Sequence, residues 1–131
     1  MPVNLEVLNS SLEERKIRAE MSFICNNPVR AAIVYLLMKM KNSDHCSNVE
    51  QMSHKLGKNH SIILHHLEKL AEYGLVEIVR SVKYGDKVKR KIWGLNLTRI
   101  ELIREVYTYI TKFCFTVSQL EKLINVNKTS R

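Results

Sequence analysis

Residues 47–93 have the sequence SNVEQMSHKLGKNHSIILHHLEKLAEYGLVEIVRSVKYGDKVKRKIW, and this stretch decides the fold. Ser47–Gly57 has the pattern of a short helix, and Lys58–Tyr73 that of a turn followed by a second helix. Gly74–Trp93 has the pattern of a two-stranded hairpin with a basic tip. The order of helix, turn, helix and basic hairpin predicts a winged helix-turn-helix, an architecture suited to reading duplex DNA.

Size and charge limit the kinds of protein that this chain can be. The chain has 131 residues, 45% of them hydrophobic, which suits one domain, and only 4 Gly and 2 Pro, which disfavours a many-turned all-β fold. The net charge is +8, and Arg80–Lys91 carries six basic residues against one acidic residue, a local excess of +5. Such concentrated charge favours polyanions, with nucleic acid ahead of an acidic membrane surface.

The sequence predicts a cytoplasmic protein without a membrane partner. No apolar run approaches the ~18–20 residues that span a bilayer. Met1–Ser11 lacks the basic start and apolar segment of a signal peptide. The 3 cysteines, Cys25, Cys46 and Cys114, are odd in number and widely spaced, so no disulfide framework is expected.

Helix-start signals divide the chain into its expected elements. Capping boxes stand at Ser11–Glu14, Ser47–Glu50 and Thr98–Glu101, and Asn27 caps a core helix predicted over Pro28–Lys41. We expect a single domain over residues 1–131, mainly α with a small β-hairpin (α+β). Its parts are an N-terminal segment 1–11, a first helix 12–25, the winged-helix core 28–96, a C-terminal dimerisation helix 98–125 and a polar tail 126–131.

The predicted C-terminal helix carries an apolar seam. Apolar residues recur along it at alternating spacings of three and four, a heptad-like pattern typical of helices that pair with one another. The residues that we expect at a dimer interface on this seam are Ile103, Tyr107, Ile110, Cys114 and Val117.

The second helix of the motif, Asn59–Tyr73, has the two unlike faces that a recognition helix needs. We expect Ile63, Leu67 and Leu70 to face the core. The residues expected at base edges are those facing outward near its start: His60, Ser61, Leu64 and His65, with Leu64 suited to a thymine methyl. The alternative is a plain surface helix.

Phosphate contacts are expected at the start of this helix and on the hairpin. Lys58 and Asn59 stand where a phosphate would meet the helix N-terminus. Residues of the wing that suit phosphates, sugars or the minor groove are Lys83, Tyr84, Lys87, Lys89, Arg90 and Lys91. The alternative is a solvated wing tip without function.

Neither a metal site nor a catalytic site is predicted. His60 and His65 are five residues apart, and not at the i, i+4 spacing of helical metal ligands. His66 is expected to be a packed, hydrogen-bonded core residue. A zinc site across a dimer, using Cys46 or Cys25, stays open as an alternative. Gly-rich phosphate loops, H-E-x-x-H and nucleophile elbows are missing, so we expect no cofactor and no enzyme activity.

Two motifs resemble those of the ArsR-type winged-helix regulators, especially of their archaeal branch. They are Asn27-Pro28-Val29-Arg30 and the run LHHLEKLAEYGLV at residues 64–76, within a resemblance that covers roughly residues 24–97. The resemblance implies a dimeric regulator with base-facing His60, Ser61, Leu64 and His65, and with its first and last helices in the dimer interface. This chain has Leu64 where the family often has Ser, and it lacks the Cys-Val-Cys motif of the metal-sensing members.

Together these features predict a sequence-specific double-stranded DNA-binding transcription regulator acting as a homodimer. Recognition helix 59–73 would enter the major groove, and basic wing 82–91 would lie on the backbone or in the minor groove. The transcription machinery is a further partner to consider. The alternatives are a winged-helix protein-interaction module of a transcription assembly and a metal- or small-molecule-responsive repressor.

Overall fold

The computed structural model of the chain describes residues 15–40, 44–85 and 87–124, apart from the side chains of Phe23, Tyr84 and residues 87–89. The α-helices are α1 (15–19), α2 (Met21–Cys25), α3 (Pro28–Lys39), α4 (Val49–Leu56), α5 (His60–Glu72), α6 (Ile100–Tyr109) and α7 (Val117–Ile124). The strands are β1 (Cys46–Asn48), β2 (Val76–Tyr84) and β3 (Lys87–Leu95). The predicted fold class, mainly α with a small sheet in a winged helix-turn-helix, is confirmed.

Helix α3 is the centre of the core, as predicted. Asn27 Oδ1 accepts hydrogen bonds from the amides of Val29 and Arg30 at 3.0 and 3.1 Å, and Pro28 occupies the first turn. Residues 30–37 are all buried, and the helix contacts α2, α5, α6 and α7. Helices α4 and α5 and strand β3 are therefore anchored to α3 directly.

The two helices of the motif are positioned by local signals. Gly57 adopts the left-handed conformation (φ 64°) that ends α4, and Asn59 Oδ1 accepts from the Ile62 amide at 3.0 Å to begin α5. The predicted start of α4 at Ser47 is wrong. Asn48 caps the helix instead, because its side chain accepts from the Gln51 amide at 2.7 Å while Ser47 lies in a strand.

The wing contains one more strand than was predicted. The sheet has three antiparallel strands in the order β1-β3-β2, and β1 pairs with β3 from Cys46 opposite Gly94 to Asn48 opposite Ile92. The segment between α3 and α4 therefore ends in a strand that leads directly into α4. The two strands are also longer than the alternating apolar patterns at residues 75–80 and 91–95 indicate, since β2 reaches Tyr84 and β3 begins at Lys87.

The predicted first helix, 12–25, is interrupted. The backbone leaves helical geometry at Glu20 (φ −98°, ψ 11°), which separates α1 from α2. Ile17 on α1 and Ile24 on α2 are both buried in the common core. The predicted capping box at Ser11–Glu14 lies outside the described residues.

The predicted C-terminal helix, 98–125, is broken into three pieces. A π-helical turn (Ile110–Cys114) follows α6, Phe115 is extended (φ −141°, ψ 135°), and α7 begins after it. Thr116 and Gln119 form a reciprocal cap at the break: the Gln119 amide donates to Thr116 Oγ1 at 3.1 Å, and the Thr116 amide donates to Gln119 Oε1 at 2.8 Å. Asn125 and the predicted tail lie outside the described residues.

The break lets α7 fold back onto α3. The hydroxyl of Tyr35 and the ammonium of Lys39 both donate to Glu121 Oε1.

The predicted capping box at Thr98 is wrong, because Asn96 caps a short 3₁₀ turn (Leu97–Arg99) by accepting from the Thr98 amide at 3.3 Å.

Within the residues that the structure describes, no helix combines the length and the apolar character needed to cross a bilayer.

Candidate nucleic-acid interface

Helix α5 presents the two faces that the sequence predicts. Ile63, Leu67 and Leu70 are fully buried against the core. The exposed residues of the opposite face include His60, Ser61, Leu64, His65 and Glu68. Ile62, next to the buried Ile63, is 38% exposed, the same fraction as Leu64. The outward face therefore combines polar groups with two apolar side chains.

The turn before α5 is held in place by hydrogen bonds on both sides. The Lys58 amide donates to the Ser53 carbonyl at 3.2 Å, and the Ser53 hydroxyl donates to the Lys58 carbonyl. Asn59 uses its side-chain oxygen to cap the helix, while Lys58 is exposed. The amides of the first helical turn, which have no partner inside a helix, make this end of α5 suitable for an anion.

The cations of the wing do not share one face. Ser81 lies opposite Lys91 and Val82 opposite Arg90, and residues opposite each other in a sheet share a face. Arg90 and Lys91 therefore point to opposite sides of the ribbon. Both are exposed, as is Lys83. The side chains of the other predicted wing contacts, Tyr84, Lys87 and Lys89, lie outside the described part of the wing.

The face that carries Arg90 is directed at α4. Arg90 Nη2 lies 3.0 Å from Glu50 Oε2, in an ion pair that joins the wing to the first helix of the motif. A cleft of about 500 Å³ lies here, between α4, the start of α5 and the wing. Its described lining residues are Glu50, Gln51, Ser53, His54, Lys55, His60 and Arg90. Sequence reasoning missed Glu50, His54 and Lys55, although their polar character and their positions outside the apolar face of α4 could have identified them; Glu50 and His54 are exposed and Lys55 is half-buried.

His66 is a buried histidine of α5. It is 8% exposed, as predicted, and its ring meets that of His65 edge-on with centroids 5.1 Å apart. Its Nδ1 has no hydrogen-bond partner among the described residues, so the predicted hydrogen bond is missing at that atom. Burial, together with the charges of Arg30 and His65, lowers the pKa of His66 below 6.5.

The cysteines lie in the core or at its edge. Cys25 and Cys46 are buried, and Cys114 is half-buried. Cys25 Sγ donates to the Val106 carbonyl at 3.9 Å, and burial raises the pKa of its thiol to about 12. Across residues 15–40, 44–85 and 87–124, no three His, Cys, Asp or Glu side chains are placed to hold a metal ion together.

The predicted dimer seam needs a correction. Ile103 on α6 and Ile110 at the start of the π-helical turn are each 1% exposed, because both pack into the core of their own chain. These two side chains are therefore not available to a partner, and Tyr107 stacks on Tyr35 of the same chain with ring centroids 6.0 Å apart. The heptad-like spacing thus includes two residues, Ile103 and Ile110, that the chain buries itself, whereas Val117 on the same seam is exposed.

The apolar surface that remains exposed on this side lies further along. Phe113, in the π-helical turn, is 72% exposed, and Val117 is 49% exposed. The ring of Tyr109 packs at an angle against Phe113, with centroids 5.2 Å apart. Of the predicted seam, Val117 and the half-buried Cys114 are the members nearest to this surface in the chain.

A family model matches the central part of the chain. Residues 27–77 match the family model described as "Bacterial regulatory protein, arsR family", which covers less than half of the chain. Neither the curated proteins nor the solved structures include a significant match. The matched segment contains α3, α4 and α5, so it supports a DNA-binding transcription regulator with an ArsR-type helix-turn-helix and points away from an enzyme. This agrees with the resemblance found in the sequence, while the archaeal branch stays a prediction.

Proposed function

We propose that the chain is a cytoplasmic, sequence-specific double-stranded DNA-binding transcription regulator that acts as a homodimer. The observation that carries this proposal is the exposed outward face of α5, whose core face is fully buried, next to a wing with exposed cations. A helix anchored in this way can enter a major groove without losing its packing. The match at residues 27–77 supports the same function.

The two surfaces have different tasks in this proposal. His60, Ser61 and His65 offer hydrogen-bonding groups to base edges, and Leu64 offers an apolar contact to a thymine methyl. Lys83 and Lys91 on the wing meet phosphates, which adds affinity without selecting sequence. Lys58 and the first turn of α5 fix the helix against the backbone at the edge of the groove.

A homodimer would place two recognition helices in successive major grooves, about 34–36 Å apart. An apolar patch of exposed Phe113, half-buried Tyr109 and exposed Val117 supports this part of the proposal, because exposed apolar patches with aromatic residues are typical of protein–protein interfaces. We propose this patch as the centre of the dimer contact, in place of Ile103 and Ile110.

The experiment that tests the function is selection of bound duplexes from a random pool, followed by titration of the selected duplex. His65→Ala should weaken binding to the selected duplex and reduce the preference for it over scrambled DNA. Lys91→Gln should weaken both duplexes similarly and lower the salt slope by about one. Lys122→Gln, an exposed cation on α7, is the matched control and should leave binding unchanged. Failure of the wild-type chain to bind any duplex at low salt would refute the proposal.

A small-molecule-responsive regulator is the second candidate. A cleft of about 520 Å³ lies between α1, the end of α5 and the 3₁₀ turn, with Lys16, Glu20, Glu72 and Arg99 among its lining residues. Ligand there would touch Tyr73, the residue that ends the recognition helix. A thermal-shift screen with small zwitterionic and anionic metabolites tests this candidate, since a ligand that binds the folded chain raises its midpoint.

A protein-interaction module is the third candidate. Ile78 and Val79 on β2, an edge strand of the sheet, are 43% and 44% exposed. Exposed apolar residues on a strand edge suit pairing with another protein. Under this candidate the chain would bind no short duplex at moderate salt, but Ile78→Lys would release its protein partner.

A further inference from the structure

The ion pair between Glu50 and Arg90 lies where DNA would approach. Glu50 is in the first turn of α4, and Arg90 is on β3, two residues before Ile92, which pairs with Asn48. Their side chains are about half exposed, and Nη2 and Oε2 are 3.0 Å apart. Exposed ion pairs of this kind are weak, so a competing anion can take the place of the carboxylate.

Basic residues outnumber acidic ones in the cleft beside this ion pair. Lys55 and Arg90 line it together with the imidazoles of His54 and His60, and Glu50 is the single carboxylate among its described lining residues. Ser53 and Gln51 add neutral hydrogen-bonding groups. These groups come from α4, from the start of α5 and from the wing, so they converge on one space between the three elements that would contact DNA.

We propose that this cleft binds one phosphate of the DNA backbone and that Glu50 occupies the place of that phosphate in the DNA-free chain. This inference rests on the proposed function. When DNA enters, the phosphate displaces the Glu50 carboxylate from Arg90 and is also contacted by Lys55 and His54. A guanidinium accepts this exchange well because its planar donors fit phosphate and carboxylate oxygens alike.

The exchange gives the Glu50 carboxylate a role on a surface that is proposed to bind DNA. Without Glu50, Arg90 would remain a flexible cation at the edge of the wing. With Glu50 present, Arg90 is kept beside the cleft, but the ion pair weakens the attraction of Arg90 for DNA. Glu50 is thus a positioning residue that tunes affinity, and Lys55 is a DNA contact on the first helix of the motif.

A double-mutant cycle on the selected duplex tests the proposal. Glu50→Gln should tighten binding about two- to fivefold, the value of one exposed ion pair, and steepen the salt slope by about one. Arg90→Gln should weaken binding, and by a larger factor in the Glu50→Gln background than in the wild type, because the wild-type arginine must first leave its partner. Lys55→Gln should weaken binding about two- to fivefold.

Two matched controls separate this exchange from a general charge effect. Glu68→Gln removes an exposed carboxylate from the outward face of α5, and Glu101→Gln breaks the 3.2 Å ion pair with Arg104 on α6. The tightening by Glu50→Gln should exceed that of Glu68→Gln, and Glu101→Gln should have no effect. Circular dichroism melts of each variant verify folding.

The outcomes distinguish this proposal from the function on which it depends. Equal effects of Arg90→Gln in both backgrounds, or equal tightening by Glu50→Gln and Glu68→Gln, would overturn the phosphate site while DNA binding stands. A wild-type chain that binds no duplex would overturn both. A coupled Arg90 effect together with a weakened Lys55→Gln variant supports the site.

Discussion

Gly94 on β3 lies directly opposite Cys46 on β1, and a Cβ added to Gly94 would come within 2.9 Å of the Cys46 Cβ. The same atom would lie 3.2 Å from the His45 carbonyl oxygen and 3.2 Å from Val79 Cγ1. The glycine thus allows β1 and the bulged part of β2 to approach β3 from both sides. Its role is to provide space and not an unusual backbone angle.

Gly94→Ala should therefore destabilise the fold by about 1–3 kcal/mol, the usual cost of inserting a methyl group into a packed site. Urea titration followed by circular dichroism measures the free energy of unfolding. Ser81→Ala, an exposed change on β2, should stay within about 0.5 kcal/mol of the wild type. A Gly94→Ala variant as stable as Ser81→Ala would show that β1 can move away from β3 at little cost.

His66 should make stability fall in mild acid. Its pKa is lowered in the folded chain, so the unfolded chain takes up the proton first as the pH drops. The contribution of the neutral His66 ring to the free energy of unfolding is complete above pH 6.5, which is the pKa of the histidine in the unfolded chain. This contribution is lost as the pH falls from there through the lower pKa of the folded chain. Urea midpoints measured across this range give the dependence.

His65, the exposed neighbour of His66, supplies the control for this pH dependence of stability. His66→Gln should flatten the pH dependence of the urea midpoint, whereas His65→Gln should retain it. An unchanged pH profile in His66→Gln would mean that other groups cause the acid sensitivity.

Cys25 should resist thiol reagents in the folded chain. Its side chain is fully buried and the pKa of its thiol is about 12, so the reactive thiolate is scarce and inaccessible at pH 8. Alkylation followed by peptide mass spectrometry should show Cys25 modified only in urea. Cys114 is half-buried, with a pKa that burial also raises, and should react slowly but before Cys25. Rapid modification of native Cys25 would contradict the described core.

Phe113→Ser should weaken self-association if the exposed aromatic patch is the dimer contact. Loss of a central aromatic residue from an interface typically costs more than about 1.4 kcal/mol, which is a tenfold weaker dimer. Sedimentation equilibrium measures the dissociation constant. Leu97→Ser changes another exposed apolar residue, in the 3₁₀ turn, and should leave association unchanged. Equal dissociation constants for Phe113→Ser and wild type would place the interface elsewhere.

The elements that the sequence predicted well are those marked by local signals. Asn27 with Pro28, Gly57 and Asn59 each perform the capping task that their residue type suggests, because a cap depends on a few neighbouring residues. The two faces of α5 follow equally directly from its periodicity.

Strand β1 could not be found in this way. It has only three residues, too few for alternation, and it exists because β3 passes beside it. The ion pair of Glu50 with Arg90 likewise depends on distant parts of the chain meeting. The local sequence pattern therefore predicts neither the strand nor the ion pair.

The C-terminal region shows a different kind of limit. The spacing of Ile103 and Ile110 indicates a buried face, but the same spacing fits burial within the chain or against a partner. The chain covers this face itself. The break before α7 did have a signal, the Thr116–Gln119 capping box, which was hidden because the apolar seam continues through Val117.

Strand β1 has a consequence for anyone who would engineer this chain. It ends at Asn48, the residue that caps α4, while its partner β3 forms one side of the wing. The wing and α4 are therefore coupled through the pairing of β1 with β3, so that a tilt of the hairpin would displace the start of α4. A chimaera that transplants residues 76–95 without residues 46–48 would transfer a hairpin in which β3, like β2, has an unpaired edge, so the unit that can be transplanted intact is discontinuous in the chain.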